Sequence, residues 1–277
     1  MVRNTSLTWH IAILICAALL ALLWSAPLLW ALSTALRPEH ETVSGVLQWL
    51  PHIWTLDAFA KVLSAGNVPL WLFNSALVAV LVAALTMAVS VPAAYVFSQL
   101  RFPGRQLLFA VLMMAFMVPF EALVVPLFRT MNQLRLVDSY AGVILPQLVS
   151  PVAIYVFKQS FDAIPSEFQD AALIDGASHW QVLSKIYLPM SGNIVWAMSI
   201  VAFIGAWNNF LWPFIIVSSP DMMTIPQGLT QIQDAFGIRY AQSMAAALLG
   251  GMPVALAYVL FQGRVSRGLV AAAGLKG

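Results

Sequence analysis

The sequence predicts an all-α integral membrane protein with six transmembrane helices and both termini in the cytoplasm. Composition is the first reason: 61% of the 277 residues are hydrophobic and only 9% charged, against roughly 25% charged in a soluble domain. A water-soluble fold of this length cannot hide that much apolar surface. The second reason is length. A spanning helix needs about 20 predominantly apolar residues, and the stretches 11–32, 71–100, 106–128, 139–157, 186–218 and 240–263 supply them. The third is the placement of Lys and Arg. With the N-terminus inside, Arg3, Arg101, Arg105, Lys158, Lys185, Arg264, Arg267 and Lys276 fall on the cytoplasmic side. Arg37, Lys61, Arg129, Arg135 and Arg239 fall outside, the bias expected of cytoplasmic loops.

Composition also excludes classes of function. The formal net charge of +2 and the lack of an Arg-rich tract argue against a nucleic-acid partner. Cys16 is the one cysteine, so no disulfide or Cys-based metal site forms within the chain. His10, His40, His52 and His179 are scattered and form no metal-ligand spacing.

The first span follows Arg3 and exceeds the h-region of a secretory signal, with no clear small-x-small cleavage site; it reads as a transmembrane helix. The outside loop 37–70 is long enough to fold locally. Its Trp49, Pro51 and the segment from Trp54 to Phe59 either contact another protein or seat at the membrane interface. The second span contains Asn74 and Ser75, and toward its end Ser90, Ala93 and Ala94 are small enough for close helix packing. Pro119 and Pro126 flank Glu121 in the third span, and Pro146 and Pro151 lie in the fourth, so both spans are candidates for kinks.

Polar groups inside a membrane are expensive and functional by default. Glu121 either lines a water-filled path or reaches the outer surface beside a proline kink. Asn208 and Asn209, between Trp207 and Trp212, either face a cavity or bond neighbouring helices, with the interhelical bond favoured for at least one. The outside segment 219–239 reads as an exposed amphipathic contact loop.

Segment 161–189 breaks the apolar pattern with Asp162, Glu167, Asp170, Asp175 and Lys185. It predicts two short helices joined by a turn. Ser166 with Gln169, and Ser178 with Gln181, have capping-box spacing. Asp175-Gly176 stops the first helix and permits positive φ. Phe168, Ala171 and Ala172 share one face of the first helix; Trp180, Leu183 and Tyr187 share one of the second. Too polar to span lipid, the segment is patterned to dock on a partner at the cytoplasmic surface.

Asp170-Ala171-Ala172, then Gly176, Ile186 and Leu188-Pro189, resemble the EAA loop of binding-protein-dependent ABC importer permeases. This chain has Asp170 where the family usually has Glu, keeping the carboxylate on a shorter stem. The segments ending in Pro-Gly-Arg at 105, from Asp138 to Pro146, around Asn208-Asn209, and from Gly268 to Gly277 are similar to the second permease subunit of the carbohydrate-uptake subfamily. That subfamily handles maltose, trehalose, other oligosaccharides and glycerol-3-phosphate. The resemblance implies the ABC importer permease fold in a single domain over 1–277, with a core over about 71–265 and a coupling loop at 161–189. It implies a non-catalytic subunit of a bacterial or archaeal cytoplasmic membrane, partnered by a second permease subunit, two ATPase subunits and an extracytoplasmic solute-binding protein. ATP and Mg would sit on the ATPases, with no cofactor on this chain, which has no Gly-x-x-x-x-Gly-Lys-Ser/Thr loop. Asp170, Ala171, Ala172, Asp175, Gly176, Ala177, Ile186, Leu188 and Pro189 would be the coupling residues, with Glu121, Asn208 and Asn209 as pathway candidates. Loop 219–239 resembles one that reaches the binding protein, and tail 268–277 one that reaches the ATPases. The alternatives are an ion-coupled secondary transporter, for which Glu121 is the sole support, and an intramembrane enzyme, for which no cluster of nucleophile, base or paired acids is present.

Overall fold

The structure, a computed structural model, describes residues 7–42, 49–64, 67–231 and 239–272. Among the described residues every regular element is helical. Three helices are long and apolar enough to cross a membrane, and up to six spans result if each of three bent pairs is one span. The chain divides into two compact units, Met1–Val68 with Leu229–Gly251, and Pro69–Gly228 with Met252–Gly277.

In the first unit, α1 (Leu7–Ala35) leaves its most apolar stretch unburied within the chain, as expected of a helix whose solvent is lipid. Its last turns organise the following loop. Arg37 donates to Ser33 Oγ at 2.9 Å, and Ser33 donates to the Trp49 carbonyl at 2.6 Å. The Trp30 ring meets Trp49 edge-on at 5.2 Å. Helix α2 (Asp57–Ser64) follows, entered by a bond from Thr55 N to the Leu36 carbonyl at 2.9 Å. Trp49 and Trp54 stay largely exposed.

The second unit is built on α3 (Val68–Gln99). Ser90 and Ala94 are fully buried along it, the close packing that their size predicts. Three bends shape the rest. Helices α4 (Arg105–Phe116) and α5 (Phe120–Gln133) meet at 100°, and α6 (Tyr140–Gln147) and α7 (Pro151–Asp162) at 47°. Each of these two bends ends in a proline, Pro119 or Pro151, whose ring pushes the preceding residue out of the helical region. Before α7, Ser150 is extended (φ −117°, ψ 99°), and its hydroxyl accepts from Ala153 N. The expected kinks in the third and fourth stretches are therefore present.

The fifth expected span, 186–218, is corrected. Its start belongs to a helix that turns by 83° at Ser191. The apolar helix proper is α10 (Gly192–Trp207), followed after a break by α11 (Leu211–Ile216). Hydropathy runs continuously across Ser191 because Ile186, Leu188 and Pro189 are apolar, although they pack around a corner.

The segment after α11 is a second correction. Where an exposed loop was expected over 219–239, residues Met223, Thr224, Ile225, Gln227 and Gly228 are buried against the start of α3. Asn74 Nδ2 donates to the carbonyls of Asp221 and Met223 at 2.8 and 2.9 Å, and its Oδ1 accepts from Tyr140 at 2.7 Å. Ser75 Oγ accepts from Ile225 N at 2.7 Å, and Trp71 Nε1 donates to the Pro220 carbonyl at 2.7 Å. A Cβ on Gly228 would overlap the Trp71 ring, so only glycine lets the strap lie this close. Residues 232–238 of the expected loop lie outside the described residues. Asn74→Leu keeps the volume but takes the donor from two carbonyls and the acceptor from Tyr140, at about 1–3 kcal/mol per buried group left unpaired. We expect it to lower the thermal unfolding midpoint of the detergent-purified protein by several degrees; an unchanged midpoint would show that the strap does not depend on Asn74.

Candidate functional site

The polar segment forms the predicted pair of short helices, α8 (Glu167–Ile174) and α9 (His179–Met190). Between them Gly176 takes φ +83°, a conformation that glycine adopts without steric cost. Gly176 N donates to the Leu173 carbonyl at 3.1 Å and Ala177 N to the Ala172 carbonyl at 2.9 Å. These are the two bonds of a Schellman cap. Ala172 and Ala177, the two residues joined by the second of these bonds, both pack on the core beneath.

One of the two expected capping boxes is present. Ser178 Oγ accepts from Gln181 N at 3.3 Å, and Ser178 N donates to Gln181 Oε1 at 2.8 Å. At the other end Ser166 makes no side-chain cap, because its own backbone is helical (φ −66°, ψ −20°). A cap residue needs extended φ/ψ to aim its oxygen at the first turn. Here the Pro165 carbonyl accepts from Phe168 N instead, so the turn starts one residue early.

The faces differ from expectation as well. Leu183 and Tyr187 are buried, joined by Val182, but Trp180 is 67% exposed, as are Phe168 (51%) and Ile174 (85%). A π-helical turn over Leu183–Tyr187 widens the helix, and the buried face centres on Val182, Leu183, Ile186 and Tyr187. The two alanines separate: Ala172 packs inward while Ala171 is exposed beside Asp170. The outward surface thus combines carboxylates at Glu167, Asp170 and Asp175 with large apolar side chains at Phe168, Ile174 and Trp180. Apolar groups this exposed gain by being covered, and such patches mark interaction sites.

Behind that surface the segment is tied firmly to α3 and α7. Tyr187, fully buried, lies 5.3 Å from the Phe161 ring and 5.4 Å from the Tyr95 ring, both edge-on, a favoured geometry for aromatic pairs. Its hydroxyl donates to Gln169 Oε1 at 3.1 Å, linking α9 to α8. Tyr95 OH and His179 Nδ1 are 3.0 Å apart, linking α9 to α3. Ser98 donates to Asp162 at 2.5 Å, and Lys158 pairs with the other oxygen of Asp162 at 2.6 Å. These contacts join α8 and α9 to the ends of α3 and α7.

The membrane-depth candidates lie elsewhere. Glu121 occupies the first turn of α5, immediately after the 100° bend, and is exposed. An acid is favourable there, against the positive end of the helix dipole. Asn209 sits in the break between α10 and α11 and donates to Gln147 Oε1 at 2.8 Å, the interhelical bond favoured from the sequence. Asn208 ends α10 and is exposed. Next to them Trp212 Nε1 donates to the Gly142 carbonyl at 3.0 Å, and its ring meets Phe120 edge-on. No group of three or more potential metal ligands occurs among the described residues. The helix of the C-terminal tail continues to Ala272; residues 273–277 lie outside the described residues.

Sequence reasoning missed three contributors. Asn74 and Ser75 were visible as adjacent polar residues in an apolar helix, but nothing pointed to their partners some 150 positions away in the strap. The Tyr95–His179 link carried no local signal. Asp138 was noted only within a resemblance. It adopts φ +58° and accepts from Ser218 N and Ser219 N at 3.1 and 3.0 Å, closing the strap's start.

Bent apolar helices and an anchored two-helix element with an exposed acidic and apolar face define a helical membrane protein. Residues 88–270 match the family described as "Binding-protein-dependent transport system inner membrane component", and the chain belongs to that family, one of non-catalytic permease subunits of ABC importers. It is 34% identical over 282 residues to an arabinooligosaccharides transport system permease protein of Halalkalibacterium halodurans, covering 100% of both chains. It is 36% identical over 253 residues to a sulfoquinovosyl glycerol transport system permease protein of Agrobacterium fabrum, covering 91% of this chain and 88% of that one. Among solved structures, a bacterial ABC transporter involved in the import of the acidic polysaccharide alginate has a similar chain, with TM-score 0.83 at 21% identity, covering 94% of this chain and 99% of that one. That likeness establishes the ABC importer permease fold.

Proposed function

We propose that the chain is one permease subunit of an ATP-driven, binding-protein-dependent importer of a sugar, oligosaccharide or related polyol or glycerol-phosphate solute. It acts as a single permease domain of six spans with both termini in the cytoplasm of a bacterial or archaeal cell, the fifth span being α10 and not α9. A second permease subunit completes the pathway, and an extracytoplasmic binding protein delivers the solute. Two ATPase subunits hold ATP and Mg beneath the permeases.

The observation that carries this reading is the anchored lever of α8 and α9. Its exposed Asp170, Ala171 and Asp175 face an ATPase, flanked by Phe168, Ile174 and Trp180. Asp170 offers a carboxylate for a charge-assisted bond to an arginine of that partner. Ala172, Gly176, Ala177, Ile186 and Leu188 act from behind, giving the lever its turn, its cap and its seat on α3 and α7, while Pro189 is exposed at the end of α9. ATP-driven closure of the ATPases pulls on the lever, and the spans exchange one packing for another as rigid bodies. Glu121 and Asn208 are exposed enough to meet solute or the second permease; Asn209 holds Gln147 in place beside the pathway.

The test is uptake into proteoliposomes holding the full importer, with the cognate binding protein on the solute side. Uptake is expected to require ATP and all subunits. Uptake driven by a proton or sodium gradient and unaffected by omitting the ATPases would overturn the proposal.

A further inference from the structure

A cavity of about 470 Å³ opens at the corner between α3 and α4, lined by Arg101, Phe102, Gly104, Arg105, Gln106 and Leu107. The described lining residues include two guanidinium groups and no acidic side chain. Arg105 is held in place, because its Nη1 donates to the carbonyls of Ser98 and Leu100 at 3.3 and 3.0 Å. These carbonyls end α3, where a cation is favourable. The remaining guanidinium N–H groups of Arg105 have no acceptor among the described residues. Arg101 is exposed and makes no hydrogen bond or ion pair among them. Asp162, at the end of α7, is already paired with Lys158 at 2.6 Å and accepts from Ser98, so it answers neither arginine. The corner itself is braced: the Phe97 ring lies 6.3 Å from that of Phe102 and 5.4 Å from that of Phe109.

We infer that this corner binds the headgroup of an anionic phospholipid, with Arg101 and Arg105 on its phosphate and an acyl chain laid along α4. Depth supports the headgroup. Helix α3 has 32 residues and is about 48 Å long at 1.5 Å per residue, more than the roughly 30 Å of a hydrocarbon core. The corner at its end therefore reaches the level of the lipid phosphates. The sides of α4 support the acyl chain. Phe109 and Leu112 turn toward Lys158 of α7 and the core, whereas Leu107, Val111 and Met114, spaced a turn apart, are 68%, 50% and 56% exposed. An apolar stripe thus starts at the cavity and runs away from two unanswered positive charges, matching a molecule charged at one end and hydrocarbon along the rest. A soluble anion would leave the stripe bare, and a neutral lipid would leave the arginines unpaired. Guanidinium forks fit phosphate oxygens closely, and basic pockets beside membrane helices hold such headgroups.

The test uses the assembled importer in phosphatidylcholine nanodiscs holding a trace of photoreactive lipid. The probe is either phosphatidylglycerol or phosphatidylcholine with a diazirine on one acyl chain, and mass spectrometry counts adducts on residues 107–114. Phosphatidylglycerol is expected to label this stretch about tenfold or more over phosphatidylcholine, since each basic residue at a membrane surface adds about fivefold to the affinity for an anionic lipid. Arg101→Gln should lower that preference by about fivefold. Arg129→Gln, at another exposed arginine, on α5, should leave it unchanged. Equal labelling by the two lipids, or no effect of Arg101→Gln, would overturn the inference. So would an equal loss in Arg129→Gln, which would make the preference a diffuse charge effect. Loss of the preference in millimolar inorganic phosphate would reassign the corner to a soluble anion, and no labelling at all would mean that a partner subunit covers it; either result also overturns the inference. The readout is lipid contact alone and is independent of the solute and of transport.

Discussion

Gly176→Val is expected to reduce ATP-dependent uptake by about tenfold or more, equivalent to roughly 1.4 kcal/mol of lost coupling, with the amount of protein in the membrane unchanged. Space is not the reason, since a Cβ at Gly176 meets nothing within 4 Å. The backbone is: φ is +83°, and a β-branched residue there is a genuine outlier, at a cost on the order of 1–3 kcal/mol. The chain relieves that strain by giving up the paired bonds from Gly176 and Ala177 to α8. The first helix of the lever then loses its fixed angle to the second. Because the turn lies outside the apolar spans, insertion does not depend on it. Gly176→Asn should keep most of the activity, since asparagine tolerates the left-handed region. Uptake by the valine variant at the parent rate would refute the role assigned to the turn.

Tyr187→Ala should uncouple the importer from the other side of the lever. The ring is fully buried between Tyr95 and Phe161, and its hydroxyl holds Gln169 of the neighbouring helix. Truncating a buried aromatic residue costs about 3–5 kcal/mol. Here that loss falls on the joint between the docking surface and the spans. The expected result is an assembled complex whose ATPase activity no longer rises when the solute-loaded binding protein is added. Tyr187→Phe keeps the ring contacts and gives up only the bond to Gln169, about 1 kcal/mol, so its stimulation should stay close to the parent's. Equal stimulation in the alanine and parent complexes would mean that force reaches the spans by another route.

The two substitutions probe opposite kinds of information. The Gly176 turn is local: a helix stop, a positive-φ glycine and a capping serine lie within a few residues of one another. Tyr187 matters through Tyr95 and Phe161, whose convergence depends on how α3 and α7 pack.

That division runs through the whole protein. The sequence by itself determined the membrane environment, because apolar content acts through transfer from water and needs no knowledge of packing. It also determined the two-helix segment, its Gly176 turn and the Ser178–Gln181 box, all set by interactions spanning a few residues. Only the tertiary structure decided that Ser166 is no cap, and that Ala172 faces in while Ala171 faces out. It alone turned the fifth apolar stretch at Ser191, and bound the strap after α11 to Asn74 and Ser75. The strap follows from groups brought together across 147 to 150 positions, and spacing along the chain does not encode which distant donor meets which acceptor. Segment 161–189 is thus half a local and half a tertiary object. Its hinge is written in Asp175-Gly176, and its seat is made by Tyr95, Phe161 and Tyr187 only once the helices pack.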